Sequence, residues 1–137
     1  MAEAFTRTIK NQREEMPALL EDINSFLTPH QLDKKILNSL NLVLEEAMLN
    51  IIQHGEATAG SHDISVTLKL EADQVGVELL DNGRAFNPLA LPHTRPNAAE
   101  VETQKAELGI HLVRNMMRSM AYRRENDKNI FEIWIKR

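Results

Sequence analysis

Apolar positions along the chain follow two periods, and the places where one replaces the other mark out its elements. In Ala4–Lys10, Phe5 and Ile9 alternate with Thr6 and Thr8, which predicts a short first strand at a sheet edge. Met16–Leu27 changes to a helical stripe of Leu19, Leu20, Ile23, Phe26 and Leu27, with Pro17 in the first turn, where its missing N–H is harmless. Thr28-Pro29-His30-Gln31 then reads as a capping box with proline at the first helical position. The helix it opens is expected to run to His54, with Leu40, Val43, Leu44, Ala47, Met48, Ile51 and Ile52 on its apolar side. Gly55 follows, where a left-handed residue is wanted to end a helix.

After the small polar connection Glu56–His62 the period returns to two. Ile64, Val66, Leu68 and Leu70 alternate with Ser65, Thr67 and Lys69, and Val75–Leu80 returns as the antiparallel partner across Ala72-Asp73-Gln74. Arg84–Glu107 has no period and carries three of the five prolines. A connection that long in a small domain is uncommon unless it is functional or disordered, and a lid is the usual functional case. From Leu108 a helical pattern resumes through Ile110, Val113, Met116, Met117 and Met120, the methionines serving as adaptable core packing. Ala121–Glu125 and Ile130–Lys136 close the chain as a hairpin. The order predicts an α+β fold: a single two-layer domain over residues 1–137, with a mostly antiparallel sheet covered on one face by three helices.

Composition narrows the function classes. Sixteen basic against twenty acidic residues give a formal charge of −4, which argues against a nucleic-acid partner. With no cysteine there is neither a disulfide framework nor a thiolate site. The N-terminus lacks a signal-peptide core and no apolar run approaches a membrane span, so a cytoplasmic protein is expected.

Three places could carry chemistry. Glu46 and Asn50 lie four apart on one helix face, extended by Gln53 and His54. They either mark the solvated side of that helix or serve a bound Mg²⁺ and the base beside it, since Mg²⁺ needs few protein oxygens when phosphates supply the rest. Asp81-Asn82-Gly83 follows a strand: the aspartate can accept from an exocyclic amine, and the glycine lets backbone approach a flat ring. Leu108-Gly109-Ile110-His111 opens a helix whose free N–H groups suit phosphate. Each is weak alone, because such patterns also occur as turns and caps. His30, His62 and His93 lack metal-site spacing.

Taken in this order, Glu46…Asn50, Asp81-Asn82-Gly83 and Leu108-Gly109 resemble the N, G1 and G2 boxes of the GHKL ATPases, the gyrase, histidine-kinase and MutL superfamily. The short chain with its two-helix lead-in is most similar to the bacterial anti-sigma factor serine-protein kinases, the RsbW-like branch. The resemblance implies a Bergerat-type ATP site and phosphorylation of a serine on a STAS-type anti-anti-sigma partner, with a sigma factor and a homodimer as further associations. It makes Glu46 the base and Asn50 the Mg²⁺ ligand, while Asp81 reads the adenine amine and Gly83 lets the ring pack closely. Gly109, with Leu108 and Ile110 beside it, holds phosphates under the Arg84–Glu107 lid. His54 either touches phosphate or caps the helix, His111 lies near the phosphates or at the surface, and Lys105 and Arg95 are candidate lid cations. The chain departs from the pattern at Ala85, where a second glycine is usual, and at Glu107, where a glycine precedes the leucine. Near the end, Glu132 is the nearest match to the family's adenine-holding threonine. The expected function is therefore an ATP-dependent serine-protein kinase, or alternatively a nucleotide-binding switch that holds a partner without phosphorylating it.

Overall fold

Five strands form one sheet in the computed structural model, which describes residues 3–54, 62–85 and 117–137. Along the chain the elements are β1 (Glu3–Lys10), α1 (Met16–Leu27), α2 (Lys34–His54), β2 (Asp63–Leu70), β3 (Gln74–Asp81), β4 (Met117–Glu125) and β5 (Lys128–Lys136). Neighbours run in the order β1-β2-β3-β5-β4 and are all antiparallel. The expected first strand does lie at an edge, and β3 and β5 are central.

The alternation seen in the sequence sorts the two faces. On one, Ile64, Val66, Leu68 and Leu70 of β2, Val75, Val77 and Leu79 of β3, and Phe131, Ile133 and Ile135 of β5 are all buried. The helices cover this face with Met16, Leu19, Ile23 and Leu27 from α1 and Leu40, Val43, Leu44, Ala47, Met48 and Ile51 from α2. Fully burying one such side chain contributes roughly 1.5–3 kcal/mol, enough for the periodic positions to set the fold against weaker local preferences. The opposite face is polar: Thr6 meets Thr67 at 3.1 Å, Thr8 meets Ser65 at 2.8 Å, and Lys69 lies 3.6 Å from Glu78 and 3.7 Å from Glu132.

Two boundaries differ from expectation, each for a local reason. The Thr28 capping box does not form. Its hydroxyl donates instead to the Asn24 carbonyl at 2.7 Å, finishing α1, and Gln31 takes a left-handed φ of 52° that separates the two helices. Asp33 starts α2, its carboxylate accepting the Lys35 N–H at 2.8 Å. The helix expected through Met120 does not include Met117–Met120, which belong to β4. A bulge between Met117 and Ser119 shifts the register, so the core-packed residues Met117, Met120 and Tyr122 follow a spacing of three and then two. That spacing imitates a helical stripe. Residues 108–116, where the rest of this third helix was expected, lie outside the described residues, as does Gly55.

The two helices are held in register by an amide pair. Asn24 Nδ2 donates to Asn41 Oδ1 at 2.9 Å and Asn41 Nδ2 returns the bond at 3.0 Å, while each amide also reaches a carbonyl one turn back in its own helix. Removing one partner strands a part-buried amide, whereas removing both does not. Asn41→Leu should therefore lower stability by about 1–3 kcal/mol, and Asn24→Leu combined with it should recover much of the loss. Urea melts of the two single variants and the double variant measure this coupling.

Candidate functional site

The last two turns of α2 place polar side chains in a layer that is mostly apolar. Asn50 falls on the buried stripe, seven residues after Val43 and three after Ala47, and is 0% exposed. Among the described residues neither its amide oxygen nor its amide nitrogen has a hydrogen-bond partner. It is thus not on a solvated helix side. Glu46, one turn earlier, is half-buried, and partial burial, followed by the like charge of Glu45, holds its carboxyl above the usual carboxylate range. A base with a raised affinity for protons sits closer to the working pH of proton transfer. His54 is the last residue of α2.

At the end of the central strands a second polar group forms. Asp81 continues the buried row of β3 and is 3% exposed. Its Oδ1 accepts the Gly83 backbone N–H at 3.0 Å, the side-chain-to-backbone bond that aspartates make in tight turns. The same oxygen accepts Asn129 Nδ2 at 3.0 Å, because β3 and β5 pair Asp81 directly with Asn129. Among the described residues both bonds to the carboxylate end on Oδ1, so Oδ2 is left to accept from a bound group. Gly83 is buried, and Ala85 is exposed at the edge of the described residues.

Asn129 is a member that the sequence reading missed, and Glu132 is corrected by it. Glu132 pairs with Glu78 on the opposite, polar face, accepts a hydrogen bond from Trp134 Nε1 at 3.0 Å and lies near Lys69. Alternation of side chains along β5 turns it away from Asp81, so it neither helps hold a base nor repels phosphate there. The polar side chain beside Asp81 is Asn129, three residues earlier. Lys105, Leu108, Gly109, Ile110 and His111, together with Arg95, Glu107 and the lid beyond Ala85, fall outside the described residues.

This donor set fits a nucleotide with its metal. Among the described residues Asn50 offers a hard oxygen with no protein partner, and Asp81 presents its Oδ2, which takes neither of the two bonds above, at the end of the sheet on which α2 packs against β3 and β5. An amide buried without a partner lowers stability by about 1–3 kcal/mol. Asn50→Leu, similar in branching and apolar, should accordingly raise the melting temperature of the ligand-free protein while removing any Mg²⁺-dependent stabilisation by ATP. Thermal melts with and without ATP and Mg²⁺ show both effects.

Residues 2–134 match the family described as the histidine kinase-like ATPase domain. Among proteins of known function, a serine/threonine-protein kinase, BtrW of Bordetella bronchiseptica, is 26% identical over 91 residues, which are 66% of this chain and 64% of that protein. The match thus spans a little under two thirds of the relative's length. Among solved structures, the histidine kinase domain of the Erythrobacter litoralis EL346 blue-light activated histidine kinase is 17% identical with a TM-score of 0.45, over 72% of this chain and 43% of that one. With the family matched from one end of the sheet to the other, this chain belongs to the histidine kinase-like ATPase domain family, a nucleotide-binding α+β fold.

Proposed function

We propose that the chain is an ATP-dependent serine-protein kinase that acts as a regulatory switch, an anti-sigma factor in type, on a small STAS-type partner. The observation that carries this reading is the pair on α2: a fully buried Asn50 with no partner among the described residues, one turn from a Glu46 whose carboxyl is held above its ordinary range. Support also comes from the stretch shared with a serine/threonine-protein kinase. Bound ATP with Mg²⁺ would supply the phosphoryl group and screen its charge, leaving the protein to position and to move a proton. Asn50 Oδ1 would act as the metal's protein ligand. The Glu46 carboxylate would take the proton from the partner's serine hydroxyl, and Asp81 Oδ2 would accept from the adenine amine. Among the described residues no helix is long and apolar enough to cross a membrane, which is compatible with a cytoplasmic location. A sigma factor as second partner and a homodimer as the working form belong to the same proposal.

A second reading is a switch that binds nucleotide and partner without transfer. It is favoured by Glu107, a negative charge where the family places a glycine next to the phosphate-binding turn.

Labelled ATP, Mg²⁺ and the STAS-domain proteins of the same genome separate the two readings. In the kinase reading a partner serine becomes labelled, and Glu46→Gln keeps nucleotide and partner binding but slows transfer by about 10²-fold or more. The acid limb of the wild-type rate should lie above that of an ordinary carboxylate, because the base must lose a proton that its site retains. Partner affinity that differs between ATP and ADP with no labelled serine would establish the switch instead.

A further inference from the structure

Asn82 is the only asparagine in this chain that is followed by a glycine. Asparagine is among the chemically labile residues, and a glycine after it removes the Cβ that would hinder attack by the next backbone nitrogen. That nitrogen can close a five-membered ring on the asparagine's own side-chain carbonyl. Whether a fold speeds or slows the closure depends on how the two reacting groups are held. Here each of them already carries a hydrogen bond of the kind the reaction needs.

The Gly83 N–H donates to Asp81 Oδ1 at 3.0 Å, so a carboxylate stands on the proton that the attacking nitrogen must lose. That proton leaves in the peptide plane while attack uses a face of the plane, so the bond does not block the approach. At the other end, Asn82 Oδ1 accepts the Asp63 backbone N–H at 3.0 Å. A backbone N–H only donates, so the amide oxygen and not its nitrogen must face Asp63. Negative charge develops on that oxygen as the ring closes, and a donor already in place stabilises it. Both helpers are fixed by the sheet. Asp81 pairs with Asn129, whose Nδ2 also holds Oδ1 at 3.0 Å, and Asp63 opens β2 opposite Lys10 of β1. Asp81 and Gly83 are buried, whereas Asn82 is exposed to the water that the second step consumes.

We propose that Asn82 is a self-deamidating site, with Asp81 as the base and the Asp63 N–H as the oxyanion donor. The Gly83 nitrogen bonds to Asn82 Cγ, and its proton passes to Asp81. The Cγ–Nδ2 bond then breaks, and ammonia leaves carrying that proton. The succinimide that remains takes up one water from solvent. Opening at Cγ gives an aspartate. Opening at the backbone carbonyl gives an isoaspartate, whose main chain runs through Cβ and is one carbon longer. Nothing is oxidised or reduced in either step. The longer chain draws the Gly83 N–H away from Asp81 and releases one of the two bonds on Oδ1. The effect of that release on base binding rests on the nucleotide reading above; the deamidation itself does not.

The full chain aged in heavy-oxygen water, either folded or unfolded in guanidinium chloride, and mapped by peptide mass spectrometry tests this. An acid carrying the heavy oxygen should replace the amide of Asn82 no more slowly in the folded chain than in the unfolded one. Asp81→Asn keeps the shape but removes the base, and should slow the folded reaction by about tenfold or more. A folded wild type that reacts more slowly than the unfolded chain overturns the proposal, as does an Asp81→Asn rate equal to wild type. The wild-type comparison needs no variant, so it decides even if Asp81→Asn does not fold. Calorimetry with Mg²⁺·ATP reads the consequence: ageing should weaken binding to wild type by about tenfold, while binding to Asn82→Ser should not change with age. Fresh wild type that binds no nucleotide overturns the nucleotide reading and leaves the mass spectra to decide the deamidation.

Discussion

The register between β3 and β5 is the constraint on which the rest of this structure depends. Val75 meets Ile135, Val77 meets Ile133 and Leu79 meets Phe131, three buried apolar pairs in a row under the helices. A slip of one residue would turn every one of them to the polar face, so burial fixes the pairing without ambiguity. The next pair in that row is Asp81 with Asn129. The hydrophobic effect thus aligns two polar groups it does not itself favour. The short-range chemistry at the strand ends starts from a geometry that the core has already set.

The same core carries a cost on its helix side. Asn50 occupies a stripe position that an aliphatic residue would fill more favourably, and Glu46 keeps a carboxyl partly out of water one turn away. Local violations of this kind, in a layer that is mostly apolar, mark places where a sequence is shaped by something other than folding. They also differ from the polar groups at the strand ends, which are densely bonded. Among the described residues one half of the site has a buried amide without a partner, and the other is densely hydrogen-bonded.

Most of the architecture was legible because burial has a period. α1 was readable to its ends, and the faces of β2, β3 and β5 followed from alternation alone. The errors came where a local contact overrode the pattern. Thr28 closed one helix rather than opening the next, and the bulge at Met117 gave a strand the spacing of a helix. Glu46, Asn50 and Asp81 could be singled out as polar residues at suggestive spacings, although only the structure shows that Asn50 is buried. Asn129 was hidden for a different reason. Its inward direction could have been counted back from Phe131, but its meeting with Asp81 depends on which strands are neighbours, and strand order is not written in either segment.

That strand order also bears on how the protein is made. β5 is the last of these strands to leave the ribosome, yet it is inserted between β3 and β4 in the finished sheet. Until it emerges, β3 has a neighbour on one edge only, and the apolar row that runs to Asp81 lacks its partner row. Asp81 and Asn129 are therefore brought together only after β5 has been made, by contacts far apart along the chain, which form slowly. A nascent chain would expose the edge of β3 during that interval, the kind of unpaired strand that other nascent chains or chaperones engage. A chain cut short before β5 therefore has Asp81 but lacks Asn129, the residue paired with it.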